Sequence, residues 1–156
     1  MVSDEYLSSM MKGKGLTLSV AESCTGGMIS SKITAIPGAS EFFLGSVVSY
    51  SYASKTSLFK VRRETIAEHG AVSAETAEEM AAGVADLFRS DVSAAVTGIA
   101  GPSGGSEEKP VGLVFISVRY KNRVRTTRNM FEGSRAEIRA AASDAVISEI
   151  IKAVDG

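Results

Sequence analysis

Ser23 and Cys24 stand in the run Ala21-Glu22-Ser23-Cys24-Thr25-Gly26-Gly27, two candidate nucleophiles between a carboxylate and a pair of glycines. The run follows an apolar stretch and opens a helical one, so its backbone N–H groups can converge on an anion. A nucleophile in that place has oxyanion donors at hand. A plainer role fits as well: a glycine turn in which Ser or Thr caps the next helix. A second run, Tyr50-Ser51-Tyr52-Ala53-Ser54-Lys55, offers a base. A lysine acts as one only where its pKa falls from about 10.4 to near 7, roughly 4 kcal/mol of preference for the neutral amine. Lys55 follows a strongly apolar stretch, so partial burial would supply that preference; a surface lysine at a helix start is the alternative. The spacing does not match Tyr-x-x-x-Lys, which argues against a dehydrogenase pair.

A third run, Thr97-Gly98-Ile99-Ala100-Gly101-Pro102-Ser103-Gly104-Gly105, is followed by Lys109-Pro110-Val111-Gly112. Two prolines and five glycines fall between Gly98 and Gly112. Glycines let a backbone approach a ligand closely, yet neither the dinucleotide fingerprint nor the P-loop order is present. A ligand loop and an ordered surface loop are both open readings. His69, the single histidine, would have to serve any serine-histidine triad, but before Gly70 it reads as a helix C-terminal residue. Cys24 is either a nucleophile in its own right or a buried small hydrophobe. No cysteine–histidine cluster has metal-ligand spacing, so no metal or other cofactor is expected. Arg123, Arg125 and Arg128 read as a solvated strand face.

The elements that must position these residues can be read in outline. Asp4 to Lys12 suggests a helix with Ser3 as N-cap, ended by Gly13 and Gly15. Leu16 to Ala21 alternates as a strand does, Glu22 to Gly27 turns, and Met28 to Ile36 forms a helix closed by Pro37-Gly38. Phe42 to Tyr50 is aromatic and β-branched, the composition of a strand. Ser51 to Lys60 leans towards a short helix. Ser73 opens a helix reaching about Arg89, with Glu75, Glu78 and Glu79 near its positive end. Val92 to Thr97 is a buried strand. After the loop from Gly98 to Pro110, Val111 to Tyr120 and Val124 to Phe131 form a hairpin around Lys121-Asn122. The last helix opens on Ser134-Arg135-Ala136-Glu137, the spacing of a capping box. Alternation followed by a hairpin predicts a three-layer α/β/α domain with a mixed sheet, one domain over residues 1–156.

The 156 residues carry 17 basic and 18 acidic side chains, a net charge of −1. No global field draws such a chain to nucleic acid or an anionic membrane. One cysteine permits no internal disulfide, and no apolar run approaches the roughly 18 residues of a spanning helix. Asp4 and Glu5 near the start do not fit a signal peptide. A cytoplasmic protein is expected, with a homo-oligomer left open.

The first run resembles the opening signature of the C-terminal domain of the competence/damage-inducible protein CinA. The likeness continues through Gly45 to Lys55, His69 to Ser73, Met80-Ala81-x-Gly83, and Gly98-Ile99-Ala100-Gly101-Pro102-x-Gly104-Gly105. Lys109-Pro110-Val111-Gly112 and Phe131-x-Gly133-x-Arg135-x-x-x-Arg139 complete it. Nearly the whole chain is covered in order, which makes the combination specific although each piece is weak. The resemblance implies an α/β/α fold and hydrolysis of nicotinamide mononucleotide to nicotinic acid mononucleotide and ammonia. It implies Ser23 as nucleophile, with Lys55 and Tyr50 activating it, and a small-molecule nucleotide as partner. Glu22, Thr25, Gly26 and Gly27 would border the substrate, as would Thr97, Gly98, Ala100, Gly101, Gly104 and Gly105. The phosphate would rest on that second loop, on Arg135 or on Arg139. Full-length relatives carry an additional N-terminal domain, which a chain of this length is not expected to hold. Tyr52 departs from the Asn common after Tyr-Ser, and Leu58-Phe59-Lys60-Val61 departs from Leu-Gly-Val; pocket shape would feel these changes before reaction type would. Two rivals stay open: a nucleotide-binding module without catalysis, and an amidase that uses Cys24.

Overall fold

The computed structural model describes residues 2–156, with side chains from residue 3 onward. Five strands form one sheet: β1 (Leu18–Glu22), β2 (Phe43–Val48), β3 (Val92–Gly98), β4 (Leu113–Tyr120) and β5 (Arg123–Met130). Their order is β2-β1-β3-β4-β5, with β1 parallel to both neighbours and β4 and β5 antiparallel. The mixed sheet expected from the sequence is present.

Helices cover both faces. α1 (Val2–Lys14), α2 (Met28–Thr34) and α6 (Arg135–Asp155) lie on one; α3 (Tyr52–Phe59), α4 (Arg63–His69) and α5 (Ala74–Phe88) lie on the other. Successive side chains of a strand point to opposite faces, and here both faces are buried. Val20 and Ala94 pack with Met11, Ile33, Ile138 and Val146, while Ala21 and Ala95 pack with Phe59, Met80 and Val84. β1 and β3 are therefore buried throughout, apart from the half-buried Gly98 at the end of β3.

The small residues of β3 have a reason. α5 crosses them so closely that Ser93 Oγ donates to the Ala81 carbonyl at 2.7 Å. On the same helix, a Cβ at Gly83 would lie 2.0 Å from the Phe59 carbonyl oxygen. Only glycine lets α5 approach the end of α3 so closely.

α4 was anticipated only through His69 as a helix C-terminal residue, and a single 3-10 turn at Ala39–Glu41 was not anticipated. The expected N-caps at Ser73 and Ser134 are present: Thr76 N–H donates to Ser73 Oγ at 3.1 Å, and Ser134 and Glu137 form a reciprocal capping box.

The order of the strands sets the position of the site. From β1 the chain passes over one face to β2, and from β2 over the other face to β3. The loops leaving β1 and β3 thus part in opposite directions at neighbouring strand ends, where an open α/β sheet forms its crevice. Ser23 lies one residue beyond β1 and Gly98 ends β3, so the first and third runs meet there.

Candidate active site

A cavity of about 540 Å³ opens at this edge of the sheet, within the range of small-molecule sites. Ser23 and Cys24 from the first loop, Tyr50, Tyr52 and Lys55 from the second run, and Thr97 to Gly101 from the third all line it. The three stretches singled out in the sequence converge on one space.

The loop after β1 that carries Ser23 is organised by Glu22, whose side chain has no solvent exposure. Its Oε1 accepts from Thr25 Oγ1 at 2.7 Å and from the N–H groups of Gly27 and Ile29 at 3.1 and 3.0 Å. Its Oε2 accepts from Ser30 N–H and Oγ at 3.1 and 2.6 Å, and from Ser46 Oγ at 3.1 Å. Burial pushes this carboxyl up, but the hydrogen bonds from Ser30, Thr25 and Ile29 outweigh burial and hold it below the usual range. The anion awaited at the start of α2 is therefore the protein's own Glu22. Gly27 caps that helix in the left-handed region (φ 102°) with no Ser or Thr side chain involved.

Several expected contact residues consequently act behind the cavity wall. Glu22 and Thr25 bond each other with no exposure, and neither they nor Gly26 and Gly27 line the space. Arg139, a candidate for the phosphate, instead donates from Nε and Nη2 to the Cys24 and Thr25 carbonyls at 2.9 and 3.1 Å. It clamps the outer side of the loop that carries Ser23. Thr97 reaches the lining, but its hydroxyl donates to the Ala71 carbonyl at 2.8 Å. Gly98, Ala100, Gly101 and Gly104 border the cavity; Gly105 instead packs on Val111, whose N would lie 2.7 Å from a Cβ there.

Lys55 lines the cavity and is only 2% exposed. Its Nζ lies 3.0 Å from Ser23 Oγ and 2.9 Å from the Ser49 carbonyl. Ser51 caps α3 by accepting from Ser54 N–H, and that first turn aims Lys55 inward. No carboxylate faces the amine, and burial holds its pKa below the ordinary lysine value. The surface-lysine alternative is excluded by position. Cys24 is also buried, and burial pushes its thiol up to about 11. Few such thiols are thiolate at neutral pH, and the thiolate is the reactive form.

Tyr50 borders the same space but is 63% exposed, and its hydroxyl accepts from Arg135 Nη2 at 2.9 Å. It forms no hydrogen bond with Ser23 or Lys55, so the Ser23–Lys55 contact is direct. Arg135 Nη1 also donates to the Gly101 carbonyl at 2.7 Å, bridging two walls of the mouth. Tyr52, one departure from the family pattern, lies at the rim. His69 is absent from the lining and has Glu68 and Glu75 near its ring at 3.9 and 3.7 Å. Sequence reading missed Lys109 as a site residue: it borders the cavity and its Nζ donates to the His69 carbonyl. Its place in the Lys-Pro-Val-Gly run was the available signal. Arg123, Arg125 and Arg128 are exposed, as expected, with Arg125 paired to Glu149 at 2.7 Å. Among the described residues, no group of three His, Cys, Asp or Glu side chains is placed to hold a metal, and no helix is long and apolar enough to cross a membrane.

Comparison with known proteins places this arrangement in a group. A CinA-like protein of Citrifermentans bemidjiense is 47% identical over 137 residues, which cover 88% of this chain and 33% of that protein. A putative competence-damage inducible protein of Clostridioides difficile is 43% identical over 147 residues, 94% of this chain and 35% of the relative. The chain thus spans about a third of the length of the curated relatives it matches. Solved structures match it nearly end to end. The competence/damage inducible protein CihA from Agrobacterium tumefaciens superposes with a TM-score of 0.95 at 37% identity, covering 99% of this chain and 94% of that one. A CinA superfamily protein from Klebsiella pneumoniae also gives 0.95, at 29% identity, with coverages of 99% and 96%. Residues 2–154 match the CinA C-terminal domain as a whole, and the chain belongs to that family.

Proposed function

We propose that the chain is an amidohydrolase that converts nicotinamide mononucleotide and water to nicotinic acid mononucleotide and ammonia. The observation that carries this reading is the buried Ser23–Lys55 contact, an amine 3.0 Å from a hydroxyl with no acid beside it. The substrate is taken from the family resemblance and accords with a cavity whose charged lining residues are Lys55, Lys109 and Arg135.

As an ammonium, Lys55 donates to both Ser23 and the Ser49 carbonyl. Once neutral, it keeps an N–H on the carbonyl and turns its lone pair towards the Ser23 hydroxyl. Lys55 then takes the proton as Ser23 Oγ bonds to the carboxamide carbon. The amides of Gly26 and Gly27 are committed to the Ser23 carbonyl and to Glu22. Oxyanion stabilisation falls to amides earlier in the loop, between Ser23 and Thr25. The C–N bond breaks as Lys55 returns the proton to the departing ammonia. Water, deprotonated by the same amine, then cleaves the acyl ester and restores Ser23.

Ammonia release from nicotinamide mononucleotide, with free nicotinamide and glutamine as controls, tests this reading. Nucleotide-dependent release is expected; tight nucleotide binding with no turnover would make the chain a binding module instead.

A further inference from the structure

Arg139 is a cation with no anion beside it. Lys12, Lys32, Arg62 and Arg125 each have a carboxylate within 3.1 Å. Among the described residues none lies within ion-pair distance of Arg139. Its half-buried guanidinium faces two main-chain carbonyls instead, Nε donating to that of Cys24 at 2.9 Å and Nη2 to that of Thr25 at 3.1 Å. The loop is shaped to admit it: Gly26 holds φ +57°, and a Cβ there would lie 3.0 Å from Nη2. A neutral side chain could tether α6 to this loop as well, so the charge itself needs a reason.

The two carbonyls belong to consecutive peptide units. Both are trans, so in each the N–H points opposite to the C=O. In the Thr25–Gly26 unit, the Gly26 N–H donates to the Ser23 carbonyl at 3.1 Å and closes a turn on Ser23. In the Cys24–Thr25 unit, the Thr25 N–H has no acceptor among the described residues. It points away from Arg139, which lies outside the cavity lining to which Cys24 belongs. A cation on a carbonyl draws electron density from the same peptide and makes its N–H a stronger donor, as hydrogen bonds in a chain polarise one another. The charge is felt across the loop: burial pushes the Cys24 thiol up, and Arg139 opposes that push.

We infer that Arg139 is a positioning residue for catalysis: through the Cys24 carbonyl it fixes and polarises the Thr25 N–H as a donor to the oxyanion formed when Ser23 attacks a carbonyl carbon. The inference rests on the reading of Ser23 as nucleophile. Thr25 is held from both sides, its carbonyl by Arg139 and its hydroxyl by the buried Glu22 at 2.7 Å. The donor is therefore in place before any substrate arrives, the condition under which such donors lower a barrier.

A simple ester separates this role from the choice of substrate. With para-nitrophenyl acetate, Ser23 Oγ bonds to the acetyl carbon, its proton passes to Lys55, and para-nitrophenolate leaves with the electron pair. Arg139→Gln keeps one donor and removes the charge; it should slow Ser23 acylation by about 10- to 100-fold, less than outright loss of an oxyanion donor, with KM within a few-fold. Arg139→Lys keeps the charge and should lose less. The thiono ester, with sulfur in place of the carbonyl oxygen, offers a poorer acceptor, so the parent's preference for oxygen should shrink in Arg139→Gln. A mere tether would slow both esters alike, and an unchanged preference would overturn the inference. Equal acylation rates in parent and Arg139→Gln, or a parent Ser23 that the ester does not acylate, would overturn it too. Arg139-dependent acylation without ammonia release from nicotinamide mononucleotide would sustain the positioning role and remove the amidase.

Discussion

Ser30 donates to Glu22 Oε2 twice, from its N–H at 3.1 Å and its hydroxyl at 2.6 Å, tying the first turn of α2 to the end of β1. The carboxylate that receives these bonds also receives four others, so the loop between them has little freedom. Ser23 is presented to the cavity by a strand end, a helix start and one buried charge.

Replacement of Glu22 should show this. Glu22→Gln turns one acceptor oxygen into a donor facing donors, and should cost about 2–4 kcal/mol of stability. The folded carboxyl lies below its usual pKa, so its contribution is complete above the unfolded value and is lost as pH falls through the folded one. Thermal unfolding of both proteins should show a gap at neutral pH that shrinks in acid. A gap that persists unchanged below the folded pKa would contradict the assignment.

Ser23→Ala should lower kcat by at least about a thousandfold, as loss of a covalent nucleophile does. Cys24→Ala should retain most activity, because that thiol packs in the core and is held protonated by burial. Steady-state kinetics on the two variants decide between them; the opposite pattern would move the nucleophile to Cys24.

Lys55 carries a pH signature. Its pKa is lowered by burial, so kcat/KM should rise with pH along a limb below the ordinary lysine range. Lys55→Arg cannot deprotonate at working pH, and Lys55→Met has no amine; both should be nearly inactive. A Lys55→Arg enzyme with substantial kcat would remove the base role.

The titration of the same residue ties stability to pH in the same direction as that of Glu22. A lysine with a depressed folded pKa binds its proton more weakly folded than unfolded, so stability rises with pH between the folded and unfolded values. The stability of Lys55→Met relative to the parent protein should therefore be greatest below the folded pKa and decline towards pH 10 or so. Denaturant titrations at a series of pH values would read this directly; a difference independent of pH would contradict it.

Lys60 closes α3 in the left-handed region, φ 59°, where the Leu-Gly-Val pattern of relatives places glycine. Lys60→Gly relieves a side-chain clash that glycine lacks and should stabilise the fold by about 0.5–1 kcal/mol. A lower melting temperature for Lys60→Gly would show that the lysine side chain contributes more than its backbone costs.

Sequence alone determined the order of the strands and of every α-helix but α4, because periodicity, caps and turn residues are local. Ser134-x-x-Glu137 declared its capping box, and Pro37-Gly38 the end near α2, without reference to the rest of the chain. It also supplied three runs with the right residue types. What each type does was settled by neighbours distant in sequence. Glu22 and Ser23 are adjacent, yet one is sealed under α2 and the other faces the cavity, since alternate positions at a strand end look to different sides. Arg135 and Arg139 share a motif, but one turn of α6 sends the first to Gly101 and Tyr50 and the second to the loop that carries Ser23. Lys55 could be read as a surface lysine until the parallel pairing of β2 with β1 brought it beside Ser23, 32 positions away. Burial there, away from any carboxylate, is a property of the packed sheet and its two helical layers, and local sequence has no term for it.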